Sequence, residues 1–130
     1  MSAHLGSPLG RVLGKGSAHS GSHHWIVQRG TALALIVLLP LLVGSALLLP
    51  DFSYDSVRGW IAGSWTAVGL CLAVPILCWH SQLGVQVVIE DYVHQEAVKT
   101  VTLLLVRATH AVLAVAGVLA VLRITLGSAG

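Results

Sequence analysis

Three long stretches of the chain are almost free of charged side chains, and most polar residues lie between them. Residues 30–50 and 59–89 contain no Asp, Glu, Lys or Arg, and residues 100–122 contain only Arg107. A helix rises about 1.5 Å per residue, so roughly 20 apolar residues cross a hydrocarbon core of about 30 Å. The pattern predicts three transmembrane helices, at about residues 28–50, 58–89 and 98–124, with loops near 51–58 and 90–98.

Composition excludes a soluble globular protein. The chain of 130 residues is 55% hydrophobic and 9% charged, with a mean hydropathy of +0.86, whereas soluble proteins carry about 25% charged residues. We therefore predict an all-α protein of the lipid bilayer, with no nucleic-acid partner. We expect the chain to consist of an N-terminal arm (1–27), a three-helix anchor domain (28–126) and a short tail (127–130). Three helices enclose little space, so we expect helices of a companion subunit to pack against them.

Basic residues near the helix ends predict the orientation. Arg11, Lys15, Arg29 and Lys99 flank one side of the membrane, whereas Arg58 and Arg123 flank the other. Because cytoplasmic loops are enriched in Lys and Arg, we expect a cytoplasmic N-terminus and a periplasmic C-terminus. The first 28 residues lack the apolar core of a secretory signal peptide, and a bacterial inner membrane fits best.

His80 is the most informative residue of the second predicted helix. Ionisable side chains within a membrane span usually face a bundle interior and serve as ligands or relays. Gly84, one turn further on, removes side-chain bulk from the same face, as a flat macrocycle such as haem would require. A neutral imidazole can ligate haem iron, and a second axial ligand would come from another chain or from His110. The alternative is a histidine that only bonds a neighbouring helix.

A second polar group lies where this helix reaches the interface. Asp91 and Tyr92 follow His80 by about 16–18 Å along a helix, and Asp91 returns to nearly the same face. A phenol can donate a hydrogen bond to a carbonyl, and a carboxylate can position an arginine. The alternative is an interfacial tyrosine beside a solvated acid. On the same side, His23, His24 and Arg29 precede the first helix and suit carboxylates such as haem propionates.

These segments resemble a known family. "HSQLGVQVVIEDYVH" is similar to the His-x-x-x-Gly…Asp-Tyr-Val segment of the small membrane-anchor subunit of succinate dehydrogenase, respiratory complex II. "GSAHSGSHHWIVQRGTA" looks like the N-terminal entry of bacterial, especially alphaproteobacterial, members. The resemblance covers roughly residues 9–125 and the three-helix layout.

The resemblance implies specific roles. His80 would give one axial ligand to haem b, and the companion cytochrome b subunit the other. Tyr92 would hydrogen-bond ubiquinone, Asp91 would organise an arginine of the companion, and His23 and Arg29 would lie at the haem propionates and the rim of the quinone site. The cytoplasmic face would dock the iron–sulfur subunit, which receives electrons from the flavoprotein subunit.

Two positions depart from the family pattern, and other functions stay open. His24 stands where relatives carry Asp, and Glu90 precedes Asp91 where some relatives have a neutral residue, so either acid could do the positioning. Arg107 and His110 have no role in this interpretation. The alternatives are a fumarate reductase anchor, a haem-free assembly protein, and a transporter in which His80, His110 and Arg107 form a proton relay.

Overall fold

Between residues 18 and 127 the chain folds into three long helices and one short one. The computed structural model describes residues 18–127, which form α1 (Ala18–Leu47), α2 (Tyr54–Ala62), α3 (Ser64–Tyr92) and α4 (Glu96–Gly127), with no strand in that range. Three segments are long and apolar enough to cross a membrane: Ser22–Leu47, Ser64–Tyr92 and Glu96–Gly127. The prediction of an all-α membrane protein with three transmembrane helices is confirmed.

The second predicted helix, at 58–89, is two helices in the structure. Gly63 lies between α2 and α3 in an extended conformation, with φ −61° and ψ 132°, and its amide donates to the carbonyls of Gly59 and Trp60. The chain therefore turns at Gly63 while its backbone groups stay paired. The uninterrupted hydrophobic run gave no sign of this break, because a glycine without a charged neighbour is compatible with a continuous helix.

The other helix boundaries also differ from the prediction. α1 begins at residue 18 rather than 28, because a helix can continue into the polar residues beyond the hydrocarbon region. It ends at residue 47 rather than 50, since the residue before a proline is disfavoured in a helix and Pro50 follows. α4 extends two or three residues further at each end than predicted. The rest of the predicted arm, residues 1–17, and most of the predicted tail, 128–130, lie outside the described residues.

The short helix α2 begins with a side-chain cap. The hydroxyl of Ser53 accepts a hydrogen bond from the amide of Ser56, which satisfies one of the free N–H groups at a helix start. Asp51 accepts hydrogen bonds from the side chain and the amide of Ser53, and these bonds lower the pKa of Asp51 to about 2. Trp60 of α2 donates to the hydroxyl of Ser45 in α1 at 3.1 Å, so the turn is attached to the first span.

α3 is the central helix, and α1 and α4 each pack against it. The core within the chain is small. Among the described residues only seven hydrophobic side chains are buried: Leu35, Leu42, Ala67, Ala73, Leu83, Ile89 and Val121. In each candidate span only 6–11% of the most apolar window is buried inside the chain. The outward faces of all three spans are therefore available to lipid or to other helices.

Candidate functional site

His80 lies on the side of α3 that faces α1, where it is hydrogen-bonded to Thr31. The distance between His80 Nδ1 and Thr31 Oγ1 is 2.9 Å. The same hydroxyl lies 2.9 Å from the carbonyl oxygen of Val27 and 3.0 Å from that of Gln28. Nε2 of His80 has no hydrogen-bond partner within residues 18–127. One ring nitrogen is therefore held, and the other is available to a ligand.

His80 also lines a cleft between α1 and α3 with a volume of about 450 Å³. The other side chains of this cleft are apolar: Ala32, Leu35, Ile36, Leu39, Pro40 and Leu77. A Cβ placed on Gly84 would meet no atom within 4 Å, so the face one turn beyond His80 is open. An imidazole beside an apolar cleft and a bare glycine fits one side of a haem.

The available ligands limit what the chain can hold alone. Within the described residues no group of three or more His, Cys, Asp or Glu side chains could bind a metal ion. His110 is poorly placed to supply a second haem ligand, because both of its ring nitrogens have hydrogen-bond partners: Nδ1 lies 2.8 Å from the carbonyl oxygen of Val106, and Nε2 lies 3.3 Å from Ser81 Oγ. Of the two sources that the sequence left open, the structure favours another chain.

Asp91 and Tyr92 form the end of α3 without partners of their own. α3 continues through Tyr92, so Asp91 lies on the His80 face, because eleven residues at about 100° each come within about 20° of complete turns. The Tyr92 side chain is 80% exposed, and neither side chain makes a hydrogen bond or ion pair within the described chain. Glu90 differs, because it accepts a hydrogen bond from Gln86 at 2.7 Å.

The residues expected at the N-terminal entry divide between two sides of α1. Arg29 stacks over the ring of Trp25, 5.4 Å from its centroid. It precedes the cleft residue Ile36 by seven positions, which at ~100° per residue puts the two on nearly the same face of α1. His23 is six residues earlier than Arg29, about 120° away around the helix at ~100° per residue. It lines a different groove, of about 300 Å³, together with His24, Gln82, Gln86 and Arg107. His23 thus lines a groove other than the His80 cleft, whereas Arg29 lies on the cleft side of α1 by helix geometry alone.

Arg107 and His110 belong to a polar contact between α3 and α4. Arg107 donates from Nη2 to Gln86 Oε1 at 3.3 Å, and the same oxygen accepts from Gln82 at 3.0 Å. Together with the His110–Ser81 contact, these bonds connect the two helices within the membrane. In the same region, Nε2 of His24 and Oε1 of Gln28 are buried without a hydrogen-bond partner in the described chain.

Thr31 is the important residue that sequence reasoning missed. It lies 49 positions from His80, and the hydrophobic pattern contains no signal that pairs them. A signal did exist for the separation of His23 from Arg29, because a spacing of six places two residues on different sides of a helix.

Known proteins with similar sequences belong to the family that the sequence resembles. The model of the family described as succinate dehydrogenase/fumarate reductase transmembrane subunit matches residues 4–127. The succinate dehydrogenase hydrophobic membrane anchor subunit of Rickettsia conorii is 33% identical over 93 residues, which cover 71% of this chain and 74% of the relative. That of Rickettsia bellii is 32% identical over 106 residues, covering 82% and 85%.

A relative from outside Rickettsia has the same description. The succinate dehydrogenase membrane anchor subunit of Reclinomonas americana is 34% identical over 91 residues, covering 68% of this chain and 76% of the relative. The match to the family model extends over nearly the whole chain and includes the residues of the His80 cleft and the end of α3. The resemblance read from the sequence is confirmed, and the chain belongs to the family of succinate dehydrogenase/fumarate reductase transmembrane subunits.

Proposed function

We propose that this chain is the membrane-anchor subunit of a succinate dehydrogenase, that it holds haem b together with a companion cytochrome b subunit, and that it forms part of the ubiquinone-reduction site. The observation that carries the proposal is the setting of His80. One nitrogen of its imidazole is bonded to Thr31, the other is unbonded, and the residue lines an apolar cleft that faces away from the α3–α4 contact.

The cleft supplies what one side of a haem needs. His80 would hold the haem iron, and Leu35, Ile36 and Leu77 would give the macrocycle an apolar surface. Arg29 lies towards the N-terminal end of the same side of α1, where a guanidinium suits a propionate. His23 lies in the other groove, so of the two residues expected at the propionates, Arg29 has the better support. When bound, haem b accepts and donates single electrons; the chain holds and orients it.

The quinone head would bind where α3 ends. Ubiquinone takes two electrons and two protons, and its carbonyl oxygens need hydrogen-bond donors. The phenol of Tyr92 is exposed and unbonded, so it can donate to a carbonyl. Asp91 is likewise unbonded, whereas Glu90 is held by Gln86. This contrast favours Asp91 as the acid that positions an arginine of the companion.

The assembly around this site follows from the proposal. The cytoplasmic ends of α1 and α3 would dock the iron–sulfur subunit, which takes electrons from the flavoprotein subunit. The N-terminus would be cytoplasmic and the C-terminus periplasmic, in a bacterial inner membrane. The many exposed apolar side chains on the outward faces of the spans give a companion subunit room to pack.

The test is a dithionite-reduced minus air-oxidised spectrum of the complex, purified in mild detergent from native membranes through a tag on this chain. A b-type α-band that co-purifies with flavin- and iron–sulfur-containing subunits is the expected result. His80→Ala should abolish the band, because the other described side chains that line the cleft are apolar and cannot ligate iron. His110→Ala is the matched control and should keep it. A haem-free preparation, or a full band in His80→Ala, contradicts the proposal.

A further inference from the structure

The hydroxyl group of Thr31 determines which nitrogen of His80 carries a proton. A threonine hydroxyl has one hydrogen to donate and lone pairs to accept with. In a helix this hydrogen commonly bonds a carbonyl three or four residues earlier, and the carbonyls of Val27 and Gln28 lie at 2.9 Å and 3.0 Å from Thr31 Oγ1. With its hydrogen directed there, the oxygen can only accept from His80.

The consequence for the imidazole is a single neutral tautomer. Nδ1 of His80, at 2.9 Å from Thr31 Oγ1, must be the protonated nitrogen, and Nε2 then carries the lone pair. The opposite tautomer would place an N–H on Nε2, beside a cleft whose other side chains are apolar. That donor would have no hydrogen-bond acceptor among the side chains of the cleft, which is unfavourable for an N–H within a membrane span.

We propose that Thr31 is the positioning residue for His80: its hydroxyl fixes the ring orientation and the tautomer in which Nε2 is free to bind iron. The inference rests on the proposed function, because it assigns a role towards haem. Metal-binding histidines generally donate their second N–H to an acceptor, and loss of that acceptor typically lowers metal affinity or activity about 10- to 100-fold. Here the acceptor comes from a different transmembrane helix, so the contact also couples the packing of α1 against α3 to the ligand.

The experiment compares Thr31→Val with Thr31→Ser in the complete complex. Valine has nearly the same shape as threonine but no hydroxyl, and no backbone hydrogen bond of α1 depends on the hydroxyl. We expect Thr31→Val to release haem in detergent about tenfold faster than the unmodified complex. We also expect a changed electron paramagnetic resonance spectrum of the oxidised haem and a shifted reduction potential. Thr31→Ser should restore all three properties.

The controls separate this inference from the proposed function. A purely structural role for Thr31 would lower the melting temperature without moving the spectrum or the potential. Unchanged haem release, spectrum and potential in Thr31→Val would overturn the inference, as would a failure of Thr31→Ser to restore them. His80→Ala, measured in parallel, tests the ligand itself: a full haem band in that variant overturns the proposed function and the inference together. If Thr31→Val yields no complex, Thr31→Ala, which cannot overpack the contact, is judged by the same three measurements.

Discussion

The two sides of α3 use polar residues differently. Towards α4, Gln86 accepts hydrogen bonds from Gln82 and Arg107, and Ser81 contacts His110. Towards α1, His80 is bonded through one nitrogen only and lines an open apolar cleft. Because an unpaired polar group within a membrane is costly, the hydrogen bonds between α3 and α4 are suited to holding these helices together. The unbonded nitrogen of His80, at a cleft open to other chains, is suited to a ligand.

The packing of glycines shows the same contrast. A Cβ on Gly117 of α4 would lie 2.6 Å from Cγ1 of Val74, so these two helices are in tight contact there. A Cβ on Gly84 would meet nothing within 4 Å. A glycine at a tight contact serves helix packing, whereas a glycine facing open space beside His80 leaves room for something outside the chain. A glycine therefore permits close helix packing at the α3–α4 contact, whereas Gly84 leaves the His80 face of α3 uncovered.

The strongest way to break this comparison is to fill the open side. Gly84→Leu adds a side chain to the His80 face of α3, where the proposed haem would bind. We expect about tenfold less haem to be retained, since crowding of this kind costs about 1–3 kcal/mol. Haem per flavin in the purified complex measures this. Gly30→Leu is the control, because Gly30 is equally open and lies on the side of α1 away from the cleft. Equal haem in both variants would contradict the assignment of the open face.

The end of α3 provides a smaller test of the unbonded polar groups. Tyr92→Phe removes one hydrogen-bond donor, and we expect succinate-dependent quinone reduction to fall roughly three- to tenfold, as the loss of one hydrogen bond predicts. Electron transfer from succinate to a water-soluble dye should be unchanged, because the dye takes electrons before the quinone site. The chain has two tyrosines, and Tyr54→Phe, at the start of α2, is the matched control. A Tyr92→Phe complex with normal quinone kinetics would place the quinone elsewhere.

The closed side should respond in stability rather than in haem content. Gly117→Ala forces a methyl group against Val74, and we expect the free energy of unfolding to fall by about 1–3 kcal/mol, partly offset by the higher helix propensity of alanine, about 1 kcal/mol. The melting temperature of the detergent-solubilised complex measures this. Val74→Ala in the same chain should remove the clash and restore the melting temperature. Gly69→Ala should cost less, because its nearest neighbour, at 3.0 Å, is the end of the flexible Leu42 side chain.

Much of the fold followed from local sequence, and the exceptions have physical causes. The number of spans and their centres follow from the charge-free runs, because water-to-lipid transfer acts on each segment separately. The break at Gly63 did not follow, since glycine tolerates both a helix and an extended joint, and the packing of α2 against α3 and α4 selects the joint. Pro50 was a usable signal for the earlier end of α1.

The candidate site was only partly predictable for a similar reason. His80 and Gly84 stand one turn apart on one helix, so their common face follows from helix geometry alone. The roles of Arg107 and His110 could not be read in this way, because their partners, Gln86 and Ser81, lie 21 and 29 residues away. The bond between Gln86 and Glu90, which distinguishes Glu90 from Asp91, is different, because residues four apart are neighbours on a helix and such a pair can be predicted from sequence.

The sequence by itself determined that this protein lies in a membrane, how many times it crosses, and that an imidazole stands within the second long span. Those properties depend on hydrophobicity and helical periodicity, which each segment carries alone. Only the tertiary structure decided that α3 is the central helix, that its α4 side is closed by hydrogen bonds, and that Thr31 of α1 reaches Nδ1 of His80. Such contacts join residues far apart in sequence, and only the packing of one helix on another brings them together.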